Sequence, residues 1–433
     1  MANSALQRLM KSGSFWAIAD QGIASAGNFV TSLLLARSLA PAEFGTFVLL
    51  NSACLVVLGF QGNLIVSPLV VLGASGSVGR TRSYLTVALV FTLALLPVTA
   101  LVVLPAAVSL HRVITGIFAL IYVLSWQLQE TPRRALLSAF RYRDAIWGDA
   151  ISFLGQALLV SLLVIRKHVT LDEAFVLMAA TSLIAAALQS WQVRLTRTSW
   201  AEIRDCGVQF WALGKWLAIV SLMTAGQGPL FPWLLSWFHG REAAARFQAV
   251  INVWGLTSPV INSIPAMVMP ATAAFLVAKD NRTRKTLLAF GMRYVVQLEL
   301  ILAPLFLAVA LWPQLALTLF YGRSSVYVTQ TLALRIGVIV FMITVPMTVF
   351  GAVLTGAGKT KGNVTMNGAG TLASLLSAPP LIFAGGIVGA MGAEIITRAV
   401  RVLWAIRLLG PNSAAGRVDE AAVEDQSAWT QEK

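Results

Sequence analysis

Six charged residues stand inside long apolar runs of this chain: Asp20, Lys215, Arg293, Glu299, Arg335 and Glu394. A charge on a helix surrounded by hydrocarbon is costly, so it is kept where it faces a partner, water or a ligand. Lys215, Arg293 and Arg335 share a sign. Together they could give a water-excluded cavity a positive potential, the environment that suits a diphosphate group. Asp20 and Glu299 sit deeper in their runs, where they could partner those cations or act as carboxylates coupled to ion movement. Ion pairing, or snorkelling of the side chain towards the interface, would account for Arg293, Arg335 and Glu394 without any ligand.

Two polar stripes accompany these charges. Ser14, Gln21, Ser25, Asn28 and Ser32 follow at steps of 7, 4, 3 and 4, which puts them on one helix face. Gln248, Asn252, Gly255, Pro259 and Asn262 repeat the pattern at steps of 4, 3, 4 and 3. In lipid such a stripe must face other helices or water. Interhelical hydrogen bonds would satisfy either stripe alone. Two of them, one near the start of each half of the chain, point to a shared wet cavity lined by Gln21, Ser25, Asn28, Gln248, Asn252 and Asn262.

The elements that must hold these residues follow from composition. Of 433 residues 57% are hydrophobic and 12% charged, the latter about half the share of a soluble domain. Lipid must serve as the solvent for that much apolar surface. A spanning helix needs about 20 mostly apolar residues and satisfies its own backbone. A barrel would need alternating segments of about 10 residues, and the run 85–110 does not alternate. The fold class is therefore an all-α integral membrane protein. Twelve spans are expected near 14–36, 44–70, 84–109, 113–129, 145–165, 173–193, 208–237, 246–277, 287–311, 329–354, 364–384 and 386–406. The first, interrupted by Asp20 and Asn28, is too long for a signal peptide and reads as an uncleaved span.

The polar gap 194–207 divides the spans into two sets of six, residues 1–207 and 208–409. Sets with an even number of spans share one orientation and can be related by an axis along the membrane normal. The stretch 410–433, with Asp419, Glu420, Glu424 and Asp425, reads as a disordered tail. With the N-terminus placed in the cytoplasm, 22 of the 32 Lys and Arg fall on the cytoplasmic side, seven on the other and three within spans. This bias puts both termini inside. Helix breakers gather at Gly226, Gly228, Pro229 and Pro232, at Pro259, Pro265 and Pro270, and at Pro304 and Pro346. Such positions kink a helix and can line a pathway or act as hinges.

Other chemistries find no support. The net charge of +14 follows the gaps between spans as a topology signal, so no nucleic-acid partner is expected. Cys54 and Cys206 form no disulfide framework, and His111, His168 and His239 are scattered singly at helix ends without a metal motif. Gly358-Lys359-Thr360 looks like the end of a phosphate-binding loop, but Val353 stands where that loop needs glycine and an apolar helix precedes it. No cofactor and no catalytic residue is called for.

Three segments resemble a known family. Leu35-Ala36-Arg37-Ser38-Leu39-Ala40-Pro41-Ala42-Glu43-Phe44-Gly45 is similar to the A-R-x-L-G-P-x-E-F/Y-G run of polysaccharide flippases, with Ala40 in place of the usual glycine. Leu319-Phe320-Tyr321-Gly322 followed by Ala333-Leu334-Arg335-Ile336, and then Leu354-Thr355-Gly356-Ala357-Gly358-Lys359, are similar to two later segments of that family. Tyr321 interrupts the first of these two. The family is the Wzx-type O-antigen and exopolysaccharide exporters of the multidrug/oligosaccharidyl-lipid/polysaccharide superfamily, and the resemblance covers most of the chain.

The resemblance implies two six-helix bundles forming a V-shaped alternating-access transporter of the bacterial inner membrane. It implies an undecaprenyl-diphosphate-linked oligosaccharide as substrate, membrane lipid as surroundings, and a polysaccharide polymerase and chain-length regulator as candidate partners. The family-motif residues Arg37, Glu43, Gly45, Arg335 and Gly358 need have only structural roles. Two other readings stay open: a cation-coupled drug or small-molecule antiporter of the same superfamily, which would need a carboxylate cluster in one half, and a membrane polymerase or ligase of lipid-linked glycans, which would need a sizeable outer loop. Lipid II flippases carry two further helices, for which this chain has no room.

Overall fold

The computed structural model describes residues 13–75, 78–167, 169–195, 198–278 and 284–410. His168, the expected tail beyond Gly410, and the cations Arg8, Lys11, Arg197, Lys279, Arg282, Arg417 and Lys433 lie outside the described residues. Among the described residues there is no strand.

Six helices come first: α1 (Gly13–Ser38), α2 (Pro41–Leu72), α3 (Ser83–Ser109), α4 (Val113–Ser138), α5 (Tyr142–Ile165) and α6 (Leu171–Val193). Helix α7 (Trp200–Ala225) breaks and resumes as Leu230–His239. Then follow α8 (Arg241–Leu276), α9 (Arg284–Leu311), the short helix Pro313–Tyr321 and α10 (Thr331–Gly356). The run Thr360–Leu409 is two helices, α11 (360–385) and α12 (387–409), joined at Gly386 with φ of +52°. Only glycine adopts that conformation cheaply, so the chain turns without a loop.

Among the described residues ten helices are long and apolar enough to cross a membrane. The last of them holds both α11 and α12, and α1, whose polar stripe keeps it out of the ten, makes twelve. The twelve-span expectation is thus met, and the chain is a multi-pass membrane protein. Large apolar side chains such as Leu101, Leu300 and Leu376 are exposed, as a lipid-facing surface requires. Local signals set the helix starts. Pro41 occupies the first turn of α2, where no backbone donor is needed. Thr170 with Glu173, and Ser199 with Glu202, form reciprocal caps that open α6 and α7.

Two boundaries differ clearly from expectation: α7 starts at Trp200 rather than at 208, and α4 ends later than expected. Helix α4 runs to Ser138 through Pro132, not to 129, and carries Glu130, Arg133 and Arg134 within it. Taken singly, these residues look like a loop. Arg133 is instead 6% exposed and paired on three sides, which removes the penalty that would otherwise end the helix there.

Packing separates two groups. In the first, α1 lies on α5, α2 on α3 and α4 on α6; in the second, α10 lies on α8, α9 and the α11–α12 pair. The groups meet where α2 crosses α8. Helix α7 belongs to both. Its Trp200–Ala225 piece rests on α2 and α3, where Tyr84 Oη donates to Gln209 Oε1 at 3.0 Å and Asn63 Nδ2 to Ser221 Oγ at 3.0 Å. Its Leu230–His239 piece packs on α8 and on the α11–α12 pair, with His239 bonded to Ile382 O and Phe238 edge-on to Phe383 at the end of α11. The division expected at 207 therefore falls inside a continuous helix.

Candidate binding cavity and buried charge clusters

A cavity of about 360 Å³ lies between α1, α2, α4, α5 and α6 on one side and α8 on the other. Gln21, Ser25, Asn28 and Ser32 of α1 line it, and so do Gln248, Asn252 and Asn262 of α8. Both sequence stripes thus face one space. Asn51, Tyr122, Trp126, Gln156 and Ser258 add further polar and aromatic surface, and among the described residues no Asp, Glu, Lys or Arg lines it.

The amides are partly tied to one another. Asn252 Oδ1 accepts from Gln248 Nε2 at 2.8 Å, and Asn252 Nδ2 donates to Ser32 Oγ at 2.9 Å, across the two groups. Gln156 Nε2 donates to Thr31 Oγ1 at 3.1 Å and Asn28 Oδ1 at 3.4 Å. Tyr122 and Trp126, one turn apart, place their ring centroids 5.6 Å from each other.

One end of the cavity is shut. At the far end, on the side of Arg37, Arg37 donates from Nη2 to Leu319 O at 2.7 Å and from Nε to Phe320 O. Arg241 Nη1 reaches Thr46 Oγ1 at 3.3 Å, and Trp233 Nε1 donates to Ser52 Oγ at 2.8 Å. Phe44 meets Tyr327 edge-on at 6.2 Å. A Cβ at Gly45 would overlap the carbonyl of Arg241, so the glycine is what lets α2 touch α8 there. The family-motif residues accordingly do structural work. Arg37 ties the two groups, Glu43 pairs with Arg112, and Gly45 permits the crossing.

A charged cluster is buried at the near end, the side of Gly13. Arg133 contacts Asp149 at 2.5 Å, Asp20 at 3.0 Å and Glu130 at 3.2 Å, while Arg134 reaches Glu130 at 2.5 Å. Gln189 Nε2 donates to Asp149 Oδ1 at 3.0 Å. Among the described residues, Asp20 Oδ1 is buried without a hydrogen-bond partner. With all groups ionised, three carboxylates face two guanidinium groups, leaving one negative charge. A file of polar residues on α5 leads from this cluster to the cavity: Asp149, then Ser152 hydrogen-bonded to Gln129 at 2.7 Å, then Gln156. The backbone between them, Ala150–Leu154, is a π-helical turn, a feature found often at functional sites.

The second group has its own knot at the break of α7. Arg401 Nη2 donates to Asn367 Oδ1 at 2.8 Å and Nη1 to Gln227 Oε1 at 3.2 Å. Thr371 Oγ1 donates to Met223 O at 2.9 Å and Ser374 Oγ to Gly226 O at 3.0 Å. The last turn before the break and the α11–α12 pair are thereby tied together, and Glu394 pairs with Arg398 on α12.

The singled-out charges fall in different places. Asp20 joins the near-end cluster, one residue before the cavity-lining Gln21. Lys215, Arg293, Arg335 and Glu299 do not line the cavity. Lys215 is half-buried on the near piece of α7 and Arg293 is exposed on α9. Arg335 is exposed near the far end and donates to Ala310 O at 3.2 Å. Sequence reasoning missed Glu130, Arg133, Asp149, Gln156 and Gln189. The steps of 3 and 4 from Asp149 to Ser152 to Gln156 were the available signal.

No family model matches the sequence, and no curated protein matches it. The fold has solved counterparts. An inward-facing multidrug resistance MATE family transporter of the MOP superfamily superposes with TM-score 0.63 at 14% identity, covering 90% of this chain and 96% of the other. An outward-facing MATE family transporter gives TM-score 0.67 at 14% identity over 92% and 94%. The lipid II flippase MurJ, in an inward closed conformation, gives TM-score 0.67 at 11% identity over 92% and 87%. The chain therefore has the fold shared by these transporters.

Proposed function

We propose that this chain flips an undecaprenyl-diphosphate-linked oligosaccharide from the cytoplasmic to the outer leaflet of the bacterial inner membrane, supplying exopolysaccharide or O-antigen synthesis. The observation that carries this reading is the cavity of amides, hydroxyls and aromatic rings between the two groups of helices. Sugars are bound by such surfaces through hydrogen bonds to their hydroxyls and ring faces laid on aromatics. The fold shared with the lipid II flippase MurJ supports it.

In this reading the near end faces the cytoplasm, both termini lie there, and the closed far end makes the present state inward-facing. Residues 1–207 and 208–409 supply the two bundles that rock about the cavity, with the Trp200–Ala225 piece of α7 reaching across onto the first. The glycan enters the cavity while the lipid tails stay in the bilayer and the diphosphate travels along the headgroup edge. Lys215 and Arg293 then meet the diphosphate on entry, and Arg335 meets it at the far end. Polymerase and chain-length regulator would act on the flipped product.

Replacing Lys215, Arg293 and Arg335 together by alanine is expected to slow flipping in proteoliposomes while leaving the affinity for a soluble oligosaccharide unchanged. A loss of that affinity would place the cations at the glycan instead. The decisive test of the function is deletion of the gene in its host, followed by assay of lipid-diphosphate-linked oligosaccharide in each leaflet. Repeat units trapped on the cytoplasmic side, with no polymer, are expected. Units that still reach the outer leaflet without polymer would point to polymerisation or ligation.

One observation favours a second reading. Asp20, Glu130 and Asp149 form a carboxylate cluster within one half, the feature that a cation-coupled antiporter of small molecules requires. Gradient-driven efflux of a lipophilic cation from vesicles, abolished by Asp20→Asn, is the expected behaviour of such an antiporter. No gradient dependence in the wild type would remove this reading. The glycan enzyme is less favoured. The far-side connection 312–330 contains no acidic residue and, through Phe320 and Tyr327, packs into the closure.

A further inference from the structure

We infer that the cavity selects an uncharged glycan, and that sugar units carrying a carboxylate or other fixed charge are excluded from it. This rests on the proposed flippase reading and names the chemical class of its substrate. Among the described residues the lining offers hydrogen-bonding groups of both kinds but no formal charge of either sign. Asn28 Nδ2 and Gln156 Oε1 are left over from the bonds these side chains make to each other and to Thr31, and Asn51 and Asn262 make no side-chain hydrogen bond among the described residues. These are free donors and acceptors matched to hydroxyl and N-acetyl groups, each of which needs both. Tyr122 and Trp126, with rings tilted 30° to each other, supply the apolar platform for a sugar ring.

A carboxylate entering this space would lose water and find no guanidinium or ammonium to replace it, a penalty that neutral donors only partly offset. The nearest buried charges make matters worse for an anion. Asp20 adjoins the cavity-lining Gln21, and its cluster carries one net negative charge when ionised. The cations that could compensate, Lys215, Arg293 and Arg335, do not line the cavity. The diphosphate of the carrier lipid is not subject to this exclusion, because in the proposed route it stays at the headgroup edge.

The full-length protein, purified in nanodiscs, is titrated with a neutral N-acetylhexosamine trisaccharide and with a trisaccharide of equal length bearing one hexuronate. Calorimetry and the quenching of tryptophan fluorescence report binding. The neutral trisaccharide is expected to bind at least about tenfold more tightly than the acidic one. Its affinity should change by less than about twofold between about 50 and about 500 mM salt. Asn28→Arg should reverse the preference. If that variant is not monodisperse, Ser25→Lys on the same helix face tests the same point. Equal or tighter binding of the acidic trisaccharide to the wild type, weakened by salt, overturns the inference and leaves the flippase reading standing. Binding of neither trisaccharide, with a lipophilic cation bound instead, overturns the glycan reading itself.

Discussion

Arg133→Ala is expected to destabilise the protein by about 3–5 kcal/mol, the usual consequence of removing one partner from a buried ion pair. Arg133 is the shared counter-charge of Asp20, Asp149 and Glu130, and both aspartates are at most 3% exposed. Without it, among the described residues Asp20 and Asp149 keep no ion-pair partner and Glu130 keeps only Arg134. The variant should unfold at markedly lower temperature in detergent and give little monodisperse protein. Replacing the charges together, Arg133→Met with Asp20→Asn and Asp149→Asn, should recover much of the loss, since the cost lies in unpaired charge rather than in lost volume. A melting shift of less than about 2 °C for Arg133→Ala would show that the cluster is not what holds α1, α4 and α5 together at the near end.

The second large effect is expected at Gly45. Helix α2 touches α8 through the space its missing side chain leaves. Gly45→Leu inserts a branched chain into backbone, and overpacking of this kind costs about 1–3 kcal/mol. The penalty applies only while the far end is closed, so it shifts the closed–open balance by about 5- to 150-fold towards open. Ser52, buried beneath the closure and bonded to Trp233, reports the change. In a background with Cys54 and Cys206 replaced by serine, a cysteine at position 52 should react much faster with an impermeant maleimide added from the far side when Gly45→Leu is present. Unchanged labelling of a folded protein would mean that this crossing is not a gate.

What could be read from sequence was whatever depends on one residue type repeated at a fixed interval. Apolar runs long enough for lipid located the twelve spans, and amide and hydroxyl spacing at 3 and 4 placed the residues of α1 and α8 that face one cavity. The charges were another matter. Arg133 looked like a loop residue because its neighbours Glu130, Pro132 and Arg134 are polar or helix-breaking, while its partners Asp20 and Asp149 lie 113 and 16 positions away. Hydropathy scores each residue alone, whereas the cost of a buried charge belongs to the pair. The same blindness left Asp20 and Glu299 as separate candidate carboxylates and hid the cluster that Asp20 forms in its own half. Among the residues lining the cavity the neutrality is equally pairwise in origin. The cations were visible as letters, but which surface each one faces is decided by packing.

The divided allegiance of α7 bears on how the two sets of helices stay associated. Its Trp200–Ala225 piece is seated on α2 and α3, its Leu230–His239 piece on α8 and the α11–α12 pair, and Arg401 with Thr371 and Ser374 ties the short joint between them to the second group. The covalent link between α6 and α7 is therefore not what keeps the sets together. Two polypeptides made by severing the gene just before Ser199 would still be stapled, because the second fragment carries its own anchor into the first. A cut at Gly228 would separate the anchor from the body it holds.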